Sequence, residues 1–526
     1  MSPTDLDQRI AARWAVTISR ADSEASAIEL NCARSAVAEL CRYLFEEENF
    51  GFAGLIVEEA ESEWRLRYVF YRAGDWGWVH VLVNSALEER TFPSVVEWIH
   101  AADWHERVAE DLFGVHFEGH PRLGDFVLHD DVWQEDVEPM RRNFDAGAAM
   151  RHRRPAEDWR PRRIVEESGA FVMPVGPKFS GITESVHFLL ETVGEDVIRS
   201  STRLFYKWRA IEKLAEGQIF DRGLLLAERF AATTAFAHGL AFCQAIETIC
   251  ATAVPDRARA LRVFLAELER LRHHAGAIQE ICESTALVVA NAHAGIIEED
   301  LLRVSGELTG HRYLFGLLAP GGLLHDLPTA SCRKALEDAQ RILERLNALE
   351  RELRISSSFL DRLEEVGIIQ PKTASDYSLV GPVARASALA RDLRRVRPYS
   401  GYDAFSFDVP TEQEGDGYAR LRVLFAEARQ SVRIMDQAVL AMRDGAEVIA
   451  RVAGRPGAAL GWVEAPRGAT FHWVRLDDGG AIVRYRAITP SFTNWHSFHL
   501  AAEKFAFQDF PIILSTFDLS AAENDQ

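Results

Sequence analysis

The feature that most constrains this fold is a helical stripe in the middle of the chain. Within residues 256–271 the apolar side chains recur every three or four positions, at Leu261, Phe264, Leu265, Leu268 and Leu271. This spacing places them on one face of an α-helix, and such a face must be buried against other helices. Similar helical patterns cover residues 334–365 and 421–452. The larger, later part of the chain is therefore predicted to be mainly helical.

The first third of the chain has a different pattern. Residues 36–45 space their apolar positions as a helix does, whereas residues 66–71 and 78–83 are β-branched or aromatic runs typical of strands. Near the end of the chain, Asp477-Asp-Gly-Gly480 between two such runs is typical of a β-hairpin turn. We therefore predict an α+β protein, with a small α/β N-terminal domain followed by a mainly helical domain with peripheral β-hairpins.

A stretch rich in arginine and proline separates the two patterns. Residues 146–175 show no clear periodicity, which predicts a linker. The predicted domains are residues 1–145 before it and residues 176–526 after it.

Charge and cysteine content argue against several classes of function. The formal net charge is −20, which disfavours nucleic acid as a partner because phosphate backbones need clustered Lys and Arg. The six cysteines have no Cys-x-x-Cys spacing, so neither a zinc ribbon nor an iron–sulfur cluster is expected in this chain. The sequence also has no Gly-rich nucleotide loop, so any nicotinamide is expected on a different subunit.

The sequence gives no sign of a signal peptide or a membrane helix. The N-terminus lacks a basic flank followed by an apolar run, and no apolar run reaches the roughly 20 residues that a membrane helix needs. We expect a cytoplasmic protein that is peripheral to the inner membrane through partner subunits.

Two sets of motifs resemble known proteins. The stretch from Trp104 to Arg142 resembles the C component of respiratory complex I, NADH-quinone oxidoreductase. A second set of motifs is Gly176-Pro177, Glu212-Lys-Leu214, Glu269-Arg-Leu271 with His274, residues 381–387, residues 464–468 and Asp518. In order and spacing this set resembles the D component of complex I and the large subunit of energy-converting [NiFe] hydrogenases of the formate-hydrogenlyase and hydrogenase-4 type. The chain thus resembles a fused C/D protein of a redox complex.

In hydrogenases of this family, two segments each supply a Cys-x-x-Cys pair that holds nickel and iron. The matching segments here are residues 228–238 and 517–526. The four cysteine positions are occupied by Ala231, Thr234, Ser520 and Glu523. The soft thiolate ligands of nickel and iron are therefore missing, and no bound metal is expected.

The oxygen-bearing residues among these four leave one alternative open. Together with Asp518, the side chains of Thr234, Ser520 and Glu523 offer hard oxygen ligands to a magnesium-like ion. Helix capping and a buried hydrogen-bond network explain the same residues, and this is the favoured interpretation.

In the complex I branch of the family, the same cavity binds a quinone. That version uses a histidine in the loop after the Gly-Pro and a tyrosine three residues after an arginine, and the matching positions here are Phe179, Thr183 and Ala232. A phenyl ring, a hydroxyl and a methyl group do not replace imidazole and phenol as proton donors. The resemblance therefore implies an altered quinone site, with a quinone as one candidate ligand.

Four polar residues are the candidate catalytic groups: Glu184, His187, His238 and Arg467. By the resemblance, Glu184 stands where hydrogenases keep a proton-transfer carboxylate, and Arg467 stands where a guanidinium overhangs the metal. His238 follows the first missing cysteine pair at the hydrogenase position. The structural alternatives are a solvent-exposed Glu184 beside a core-edge His187, and a salt bridge from Arg467 to Glu464.

Arg229 and His274 are predicted to face a partner. In complex I the matching residues face the terminal iron–sulfur cluster of the small subunit, where a cationic neighbour stabilises the added electron. His274 lies three residues beyond Leu271 and so on the inward stripe. The resemblance thus implies a [4Fe-4S] cluster in a partner similar to the iron–sulfur small subunit of complex I, although a lone inward histidine is more often a core residue.

Two functional hypotheses follow. In the first, the chain docks an iron–sulfur small subunit and membrane subunits, and passes electrons toward a quinone or another acceptor. In the second, it is a catalytically inactive scaffold that couples the electron-transfer and membrane modules. A connected pocket lined by the four candidate catalytic residues favours the first hypothesis, whereas plugging by Phe179, Phe230 and Phe236 favours the second.

Overall fold

The computed structural model describes residues 3–20, 27–72, 77–133, 137–151, 169–178 and 184–525. Two predicted site positions, Phe179 and Thr183, lie outside these residues, as does most of the predicted linker.

Helices make up most of the second half of the chain. In chain order they are α1 (Pro3–Arg13), α2 (Val37–Arg42), α3 (Asp103–Phe113), α4 (Ala146–Arg151), α5 (Ile211–Ala215), α6 (Phe220–Ala227), α7 (Ala235–Ile249), α8 (Asp256–Ser284), α9 (Val288–Thr309), α10 (Thr329–Leu353), α11 (Ser357–Leu360), α12 (Pro371–Asp376), α13 (Gly381–Ala386), α14 (Leu393–Val396), α15 (Gly417–Ala441), α16 (Pro490–Ala502) and α17 (Phe510–Phe517).

The strands form small sheets. In chain order they are β1 (Val16–Arg20), β2 (Ala27–Cys32), β3 (Gly51–Glu59), β4 (Glu63–Tyr71), β5 (Trp78–Ala86), β6 (Thr91–Pro93), β7 (His116–Glu118), β8 (Ala170–Val175), β9 (His187–Val193), β10 (Asp196–Arg203), β11 (Leu318–Ala319), β12 (Gly322–Leu323), β13 (Gly457–Ala465), β14 (Gly468–Leu476) and β15 (Ile482–Ile488).

The N-terminal sheet has the strand order β1-β2-β5-β4-β3, antiparallel except for the β2–β5 pair. Strands β4 and β5 are rich in aromatic and β-branched side chains, which pack well on a pleated surface. Helix α3 packs on β3 and ends at Gly114, whose left-handed φ of 69° closes the helix. The predicted α/β unit is confirmed.

The long helices α8, α9, α10 and α15 pack around one another, and α8 is buried along nearly its whole length. The predicted stripe of α8 lies in the hydrophobic core, since Leu261, Phe264, Leu265, Leu268 and Leu271 are all fully buried. Two predicted helices are shorter than expected: α10 ends at Leu353, and α15 ends at Ala441 rather than at residue 452. The α+β class with a mainly helical second part is confirmed.

A three-stranded sheet in the order β13-β14-β15 joins the two parts of the chain. The rings of Trp78 and Trp462 lie 5.0 Å apart, and Trp78 meets Phe471 edge-on at 5.7 Å. The buried Glu58 of β3 accepts hydrogen bonds from Trp473 and Arg475 of β14. This hairpin sheet was predicted to be peripheral, but it is central because its aromatic face has the N-terminal sheet to pack against.

The residues predicted as a linker contain regular structure at both ends. Helix α4 lies at the start, and β8 at the end pairs with β9 in the antiparallel sheet β10-β9-β8. The second part of the fold therefore begins at Ala170 at the latest, because the pairing commits that strand to the later sheet.

A buried ion network holds the helices of the second part together. It consists of Glu267, Arg270 and His274 on α8, Arg385 on α13, Asp392 and Arg394 at α14, Glu427 on α15 and Glu464 on β13. Each of these side chains is at most 1% exposed. Within the described ranges, the helices include none that is both long and apolar enough to cross a membrane.

Candidate functional site

The site is built around Arg467, which lies in the two-residue turn between β13 and β14. Ala465 pairs with Gly468 at the end of this hairpin, so the turn projects the arginine beyond the sheet. Gly381, at the start of α13 with φ +69°, packs directly under the turn, and a Cβ there would come within 1.9 Å of the Arg467 carbonyl oxygen. Only glycine permits that close approach.

Arg467 joins the two distant segments singled out in the sequence. Its Nη2 donates to Asp518 Oδ1 at 3.1 Å, and its Nε donates to the Asp518 carbonyl at 2.7 Å. Its Nη1 donates to Glu523 Oε1 at 3.3 Å and to Thr233 Oγ1 at 3.1 Å. Residues 228–238 and 517–525 therefore meet at one guanidinium. We call Arg467, Asp518, Glu523, Thr234 and His273 the cleft cluster.

The side chains at the four cysteine positions lie together but do not suit a thiolate-bound centre. Ala231 is buried and offers no donor atom. Thr234 Oγ1 donates to Glu523 Oε1 at 3.2 Å, and Ser520 Oγ donates to Glu184 Oε1 at 2.9 Å. A methyl group, two hydroxyls and a carboxylate are not ligands that nickel and iron prefer.

The oxygen atoms of this set are engaged with the protein itself. Both carboxylate oxygens of Glu523 accept hydrogen bonds, from Thr234, Arg467 and the Ser491 amide. Among the residues that the structure describes, no group of three or more His, Cys, Asp or Glu side chains is arranged to hold a metal ion. The contacts therefore support the interpretation of these residues as a buried hydrogen-bond network.

A second arginine, Arg209, ties the same two segments through their main chain. Its guanidinium donates to the carbonyls of Arg229 at 2.6 Å and Phe230 at 2.9 Å in the first segment. In the second segment it donates to the carbonyls of Asp525 at 2.8 Å and Ala522. Two arginines thus cross-link the segments that carry the four cysteine positions.

His273 on α8 completes the cleft cluster. Its Nε2 lies 2.6 Å from Asp518 Oδ2. Burial lowers the pKa of His273 to about 4 despite the neighbouring Asp518, so the imidazole is neutral and donates to the carboxylate. Burial opposes the charge on Asp518, but Arg467 and then His273 outweigh it and lower the pKa of Asp518.

A chain of buried groups leads from Glu523 into the core. His238 Nε2 lies 3.8 Å from Glu523 Oε1, and His238 Nδ1 lies 3.0 Å from His472 Nε2. His472 Nδ1 in turn lies 2.7 Å from the hydroxyl oxygen of Tyr485. Burial, and then His238, lower the pKa of His472 well below its ordinary value, so His472 is neutral. Phe230 packs over this chain, with its ring 5.3 Å from that of His238.

Carboxylates outnumber the arginines at the exposed side of the cleft cluster. Glu184 is exposed and also accepts the Ala522 amide at 2.9 Å. Glu280, on α8, is exposed at the surface as a residue, but the protein packed around its carboxyl, and then Asp518, raise its pKa to about 7, with Glu184 adding to the effect. Burial likewise raises the pKa of Asp525 to about 7. These two groups exchange protons near neutral pH.

Three of the four candidate catalytic residues converge and one does not. Arg467 and Glu184 meet the C-terminal segment directly, and His238 reaches it at Glu523. His187 instead begins β9 and faces Tyr206, whose hydroxyl oxygen lies 3.2 Å from His187 Nδ1. The alternative of a bridge from Arg467 to Glu464 is wrong, because Glu464 pairs with Arg385 in the ion network.

The two residues predicted to face a partner cluster lie in different environments. Arg229 is exposed, over the Phe315 ring at 5.7 Å, and its role stays a prediction. His274 is fully buried, with Nε2 2.9 Å from Glu427 Oε2, so it does not face a partner. Its position on the apolar stripe of α8 places it in the core, as the alternative interpretation of a core histidine predicted. Ala232 is exposed beside Arg229.

Sequence reasoning missed His273, Arg209, His472 and Tyr485. His273 adjoins His274, but on the helix it points 100° away, toward the end of α17 rather than α15. A usable signal for His472 was its place as a polar residue in the largely apolar run of β14, where nearly every position is buried, and Tyr485 lies in a similarly buried run in β15.

Two family models match parts of this chain. The family model described as respiratory-chain NADH dehydrogenase, 30 Kd subunit, matches residues 30–149. The model described as the 49 Kd subunit of the same enzyme matches residues 296–456 and 449–526.

Curated relatives extend over most of the chain. Formate hydrogenlyase subunit 5 of Escherichia coli (strain K12) is 28% identical over 490 residues, which cover 91% of this chain and 85% of the relative. Hydrogenase-4 component G of the same organism is 29% identical over 448 residues, covering 84% and 77%. The C/D protein of NADH-quinone oxidoreductase from Methylococcus capsulatus (strain ATCC 33009 / NCIMB 11132 / Bath) is 26% identical over 492 residues, covering 85% and 83%.

Proposed function

We propose a function from the premise that this chain is a fused complex I 30 kDa/49 kDa-type protein, related to the large subunits of formate hydrogenlyase and hydrogenase-4. It docks an iron–sulfur small subunit within a membrane-associated redox complex. Its cleft receives electrons for a quinone or another small acceptor, without a nickel–iron centre. Within the complex, the chain's own part is to orient the acceptor and to supply protons.

The observation that carries this proposal is the meeting of the two segments at Arg467. In place of thiols, the cleft offers one guanidinium and several carboxylates, of which Asp518 and Glu523 are ionised. The contacts of Arg467 to Asp518, Glu523 and Thr233 use Nε, both hydrogens of Nη1 and one of Nη2, which leaves one Nη2 N–H to donate to a carbonyl oxygen that gains electron density. The residues therefore suit a carbonyl-bearing acceptor better than a soft metal.

The proton supply is supported by two features of the cleft. Glu280 and Asp525 have pKa values raised to about 7, so they carry exchangeable protons at neutral pH. The buried chain of Tyr485, His472 and His238 has short contacts along its length and ends 3.8 Å from Glu523, so a proton passes to Glu523 when that last gap closes to hydrogen-bond distance. These groups stand in for the imidazole and phenol expected from the quinone-binding relatives.

Exposed apolar side chains on α9 support the proposed docking of the small subunit. Val288 is 75% exposed and Val289 71% at the start of α9, and Ile296, further along the same helix, is 51% exposed. Helix α9 packs against α8, which carries Glu280. Such a run of apolar side chains on a surface marks a protein contact. Arg229 lies just beyond the end of α6, and both it and the nearby Ala232 are exposed.

A native pull-down of the tagged chain tests the proposal. We expect stoichiometric iron and acid-labile sulfide, nickel far below stoichiometry, and a cluster that an added quinone reoxidises. Arg467→Lys keeps the charge but loses the forked geometry, so reoxidation slows at least tenfold while cluster content is unchanged. Arg345→Lys, on the exposed side of α10, is the matched control.

The scaffold function keeps one observation in its favour. Phe230 and His238 are both 0% exposed, and Phe230 covers the histidine, so the inner part of the chain from Glu523 is closed. Phe236 lies in the core with its amide bound to Glu269. The scaffold function is supported if the complex contains the iron–sulfur cluster, no quinone reoxidises that cluster, and Arg467→Lys has no effect on its reoxidation. Stoichiometric nickel contradicts both functions.

A further inference from the structure

Helix α16 carries a buried side-chain amide that binds the main chain of another element. Asn494 is 2% exposed. Its Nδ2 donates to the Val380 carbonyl oxygen at 3.1 Å, and its Oδ1 accepts from the Val380 amide at 3.1 Å. An asparagine side chain has both a carbonyl oxygen and an NH2 group, so it satisfies both polar main-chain groups of one residue, as a neighbouring strand does. Two hydrogen bonds therefore hold Val380 in place relative to α16.

Val380 lies directly against the turn that carries Arg467. A Cβ on Gly468, which follows Arg467, would come within 2.6 Å of the Gly381 nitrogen and 2.9 Å of the Val380 carbonyl carbon. The two stretches of main chain thus meet with no side chain between them. Because the contact contains no flexible side chain that could absorb a shift, a displacement of Val380 moves the main chain of Arg467.

The same helix holds the carboxylate that Arg467 binds. At the start of α16 the Ser491 amide donates to Glu523 Oε2 at 3.3 Å, and Thr489 Oγ1 donates to the Glu523 carbonyl oxygen at 3.3 Å. Ser491 and Asn494 are three residues apart, so they are neighbours on one face of the helix. Helix α16 therefore holds both sides of the ion pair, namely the main chain next to Arg467 and the segment that carries Glu523.

We propose that Asn494 is a positioning residue of the cleft cluster, which sets the place of the Arg467 guanidinium relative to Glu523 and Asp518. It acts through Val380 and the main-chain contact between residues 380–381 and 467–468. Its effect on electron transfer rests on the proposed function, whereas its effect on the position of Arg467 does not.

A purely structural role for Asn494 predicts a different result. A buried amide that only satisfies the polar groups of Val380 stabilises the fold as a whole, so its loss raises hydrogen exchange in α8 and α15 as much as elsewhere. A positioning role instead concentrates the rise in two segments, residues 466–468 and residues 518–525.

Two variants of Asn494 test the proposal by hydrogen exchange of the full-length chain at pH 5.5 and pH 9. Asn494→Ala removes both hydrogen bonds at either pH, and exchange in the two segments is expected to rise about tenfold, the effect of one lost buried hydrogen bond. Asn494→Asp keeps the shape, and its carboxyl supplies both a donor and an acceptor only when it is protonated, which burial favours. We expect the same rise at pH 9 and, at pH 5.5, a return to within about twofold of the unaltered chain.

Ser497→Ala is the matched control. Ser497 is fully buried on the same helix, and its Oγ donates to the Asn494 carbonyl oxygen within α16 at 3.1 Å. Exchange in the two segments is expected to stay unchanged in this variant. The proposal is overturned if Asn494→Ala leaves exchange at residues 466–468 unchanged, if Ser497→Ala raises it equally, or if acid restores Asn494→Ala as fully as Asn494→Asp.

Quinone reoxidation of the cluster in the native complex separates this proposal from the proposed function. Asn494→Ala is expected to slow reoxidation several-fold, because a misplaced guanidinium meets the acceptor less well. If exchange at residues 466–468 rises but reoxidation is unaffected in both Asn494→Ala and Arg467→Lys, the proposed function is contradicted and the positioning of Arg467 by Asn494 is supported. Reoxidation that is slowed by Arg467→Lys but not by Asn494→Ala overturns the positioning role.

Discussion

The ion network and the cleft cluster both include residues of helix α8, but they balance charge differently. In the ion network, three arginines face four carboxylates, and all are at most 1% exposed. In the cleft cluster, Arg467 alone faces Asp518 and Glu523, and its side chain is 12% exposed. Glu184 and Glu280 add further negative charge within reach of Arg467.

This difference in charge balance gives the two clusters different roles, since one stabilises the fold and the other exchanges protons. Burial raises the pKa of Glu427 in the ion network, but Arg385 and then His274 outweigh it and lower that pKa overall, so Glu427 is ionised. Glu464 is the network carboxyl that differs, because burial and then Asp392 raise its pKa. At the cleft cluster, burial of the Glu280 carboxyl and then Asp518 outweigh Arg467 and raise the pKa of Glu280 to about 7. A fully paired network rigidifies a core, whereas an under-compensated one exchanges protons.

The largest effect is expected in the ion network. Arg385→Met leaves Glu427 and Glu464 without their arginine, because Arg385 binds them at 2.5 and 2.7 Å. We expect the free energy of unfolding to fall by roughly 3–5 kcal/mol, measured by urea unfolding. Arg429→Met, which breaks a pair with a 40% exposed arginine, is expected to cost less than about 1 kcal/mol. Equal losses of unfolding free energy in the two variants would show that burial does not make these ion pairs more important to stability than an exposed pair.

A smaller and more local effect is expected at the cleft. Arg467→Met deprives Asp518 and Glu523 of their shared partner, but both groups keep other donors, so the cost is about 2–3 kcal/mol. Hydrogen exchange is expected to rise within residues 518–525 and not in α15. Exchange that rises equally in α15 would mean that the two clusters form one cooperative unit.

Two buried tyrosines offer a matched pair. Tyr402 donates to the Glu267 carboxylate at 2.6 Å in the ion network, whereas Tyr485 lies 2.7 Å from the neutral His472 on the cleft side. Tyr402→Phe is expected to cost about 1.5–3 kcal/mol, and Tyr485→Phe about 0.5–1.5 kcal/mol, since bonds to charged groups are stronger. Urea unfolding of both variants checks the order. A reversed order would indicate that His472 is charged.

The sequence predicted the elements better than their partners. The apolar stripe of α8 and the strands β4 and β5 follow from local periodicity, which acts over a few residues. Helix α15 was predicted too long because periodicity alone does not show where tertiary packing ends. The central place of β13–β15 was missed for the same reason, since its partner strand β3 lies about 400 residues away in the chain.

The site was predictable in outline only. Motif positions brought Arg467, Glu523 and Asp518 to attention, and the structure places them together. The choice between His273 and His274 was not accessible, because one helix presents both and only the packing of α15 and α17 decides which of them reaches the cleft. Arg209 acts on main-chain carbonyls, and such contacts leave no pattern in side-chain identity.

The smallest effect concerns the pH dependence of folding stability, which is expected to have opposite signs in the two clusters. The lowered pKa values of Glu427 and Glu267 in the ion network contribute stability that is present above about pH 4.5 and is lost in acid. Glu280 has the opposite sign: its pKa is raised from 4.5 to about 7, so the folded chain binds its proton more tightly than the unfolded chain. Its contribution to stability is full below pH 4.5 and is lost as pH rises to 7.

Replacing Glu280 tests this sign directly. Glu280→Gln cannot ionise, so relative to the unaltered chain it is expected to gain stability between pH 5 and 8, by less than about 1 kcal/mol because the residue is exposed to screening water. Urea midpoints at pH 5, 6, 7 and 8 measure the slope, with Glu344→Gln on α10 as the control. If the urea midpoints of Glu280→Gln and of the control depend on pH in the same way, Glu280 does not bind a proton more tightly in the folded chain. The two clusters then differ in geometry but not in proton exchange.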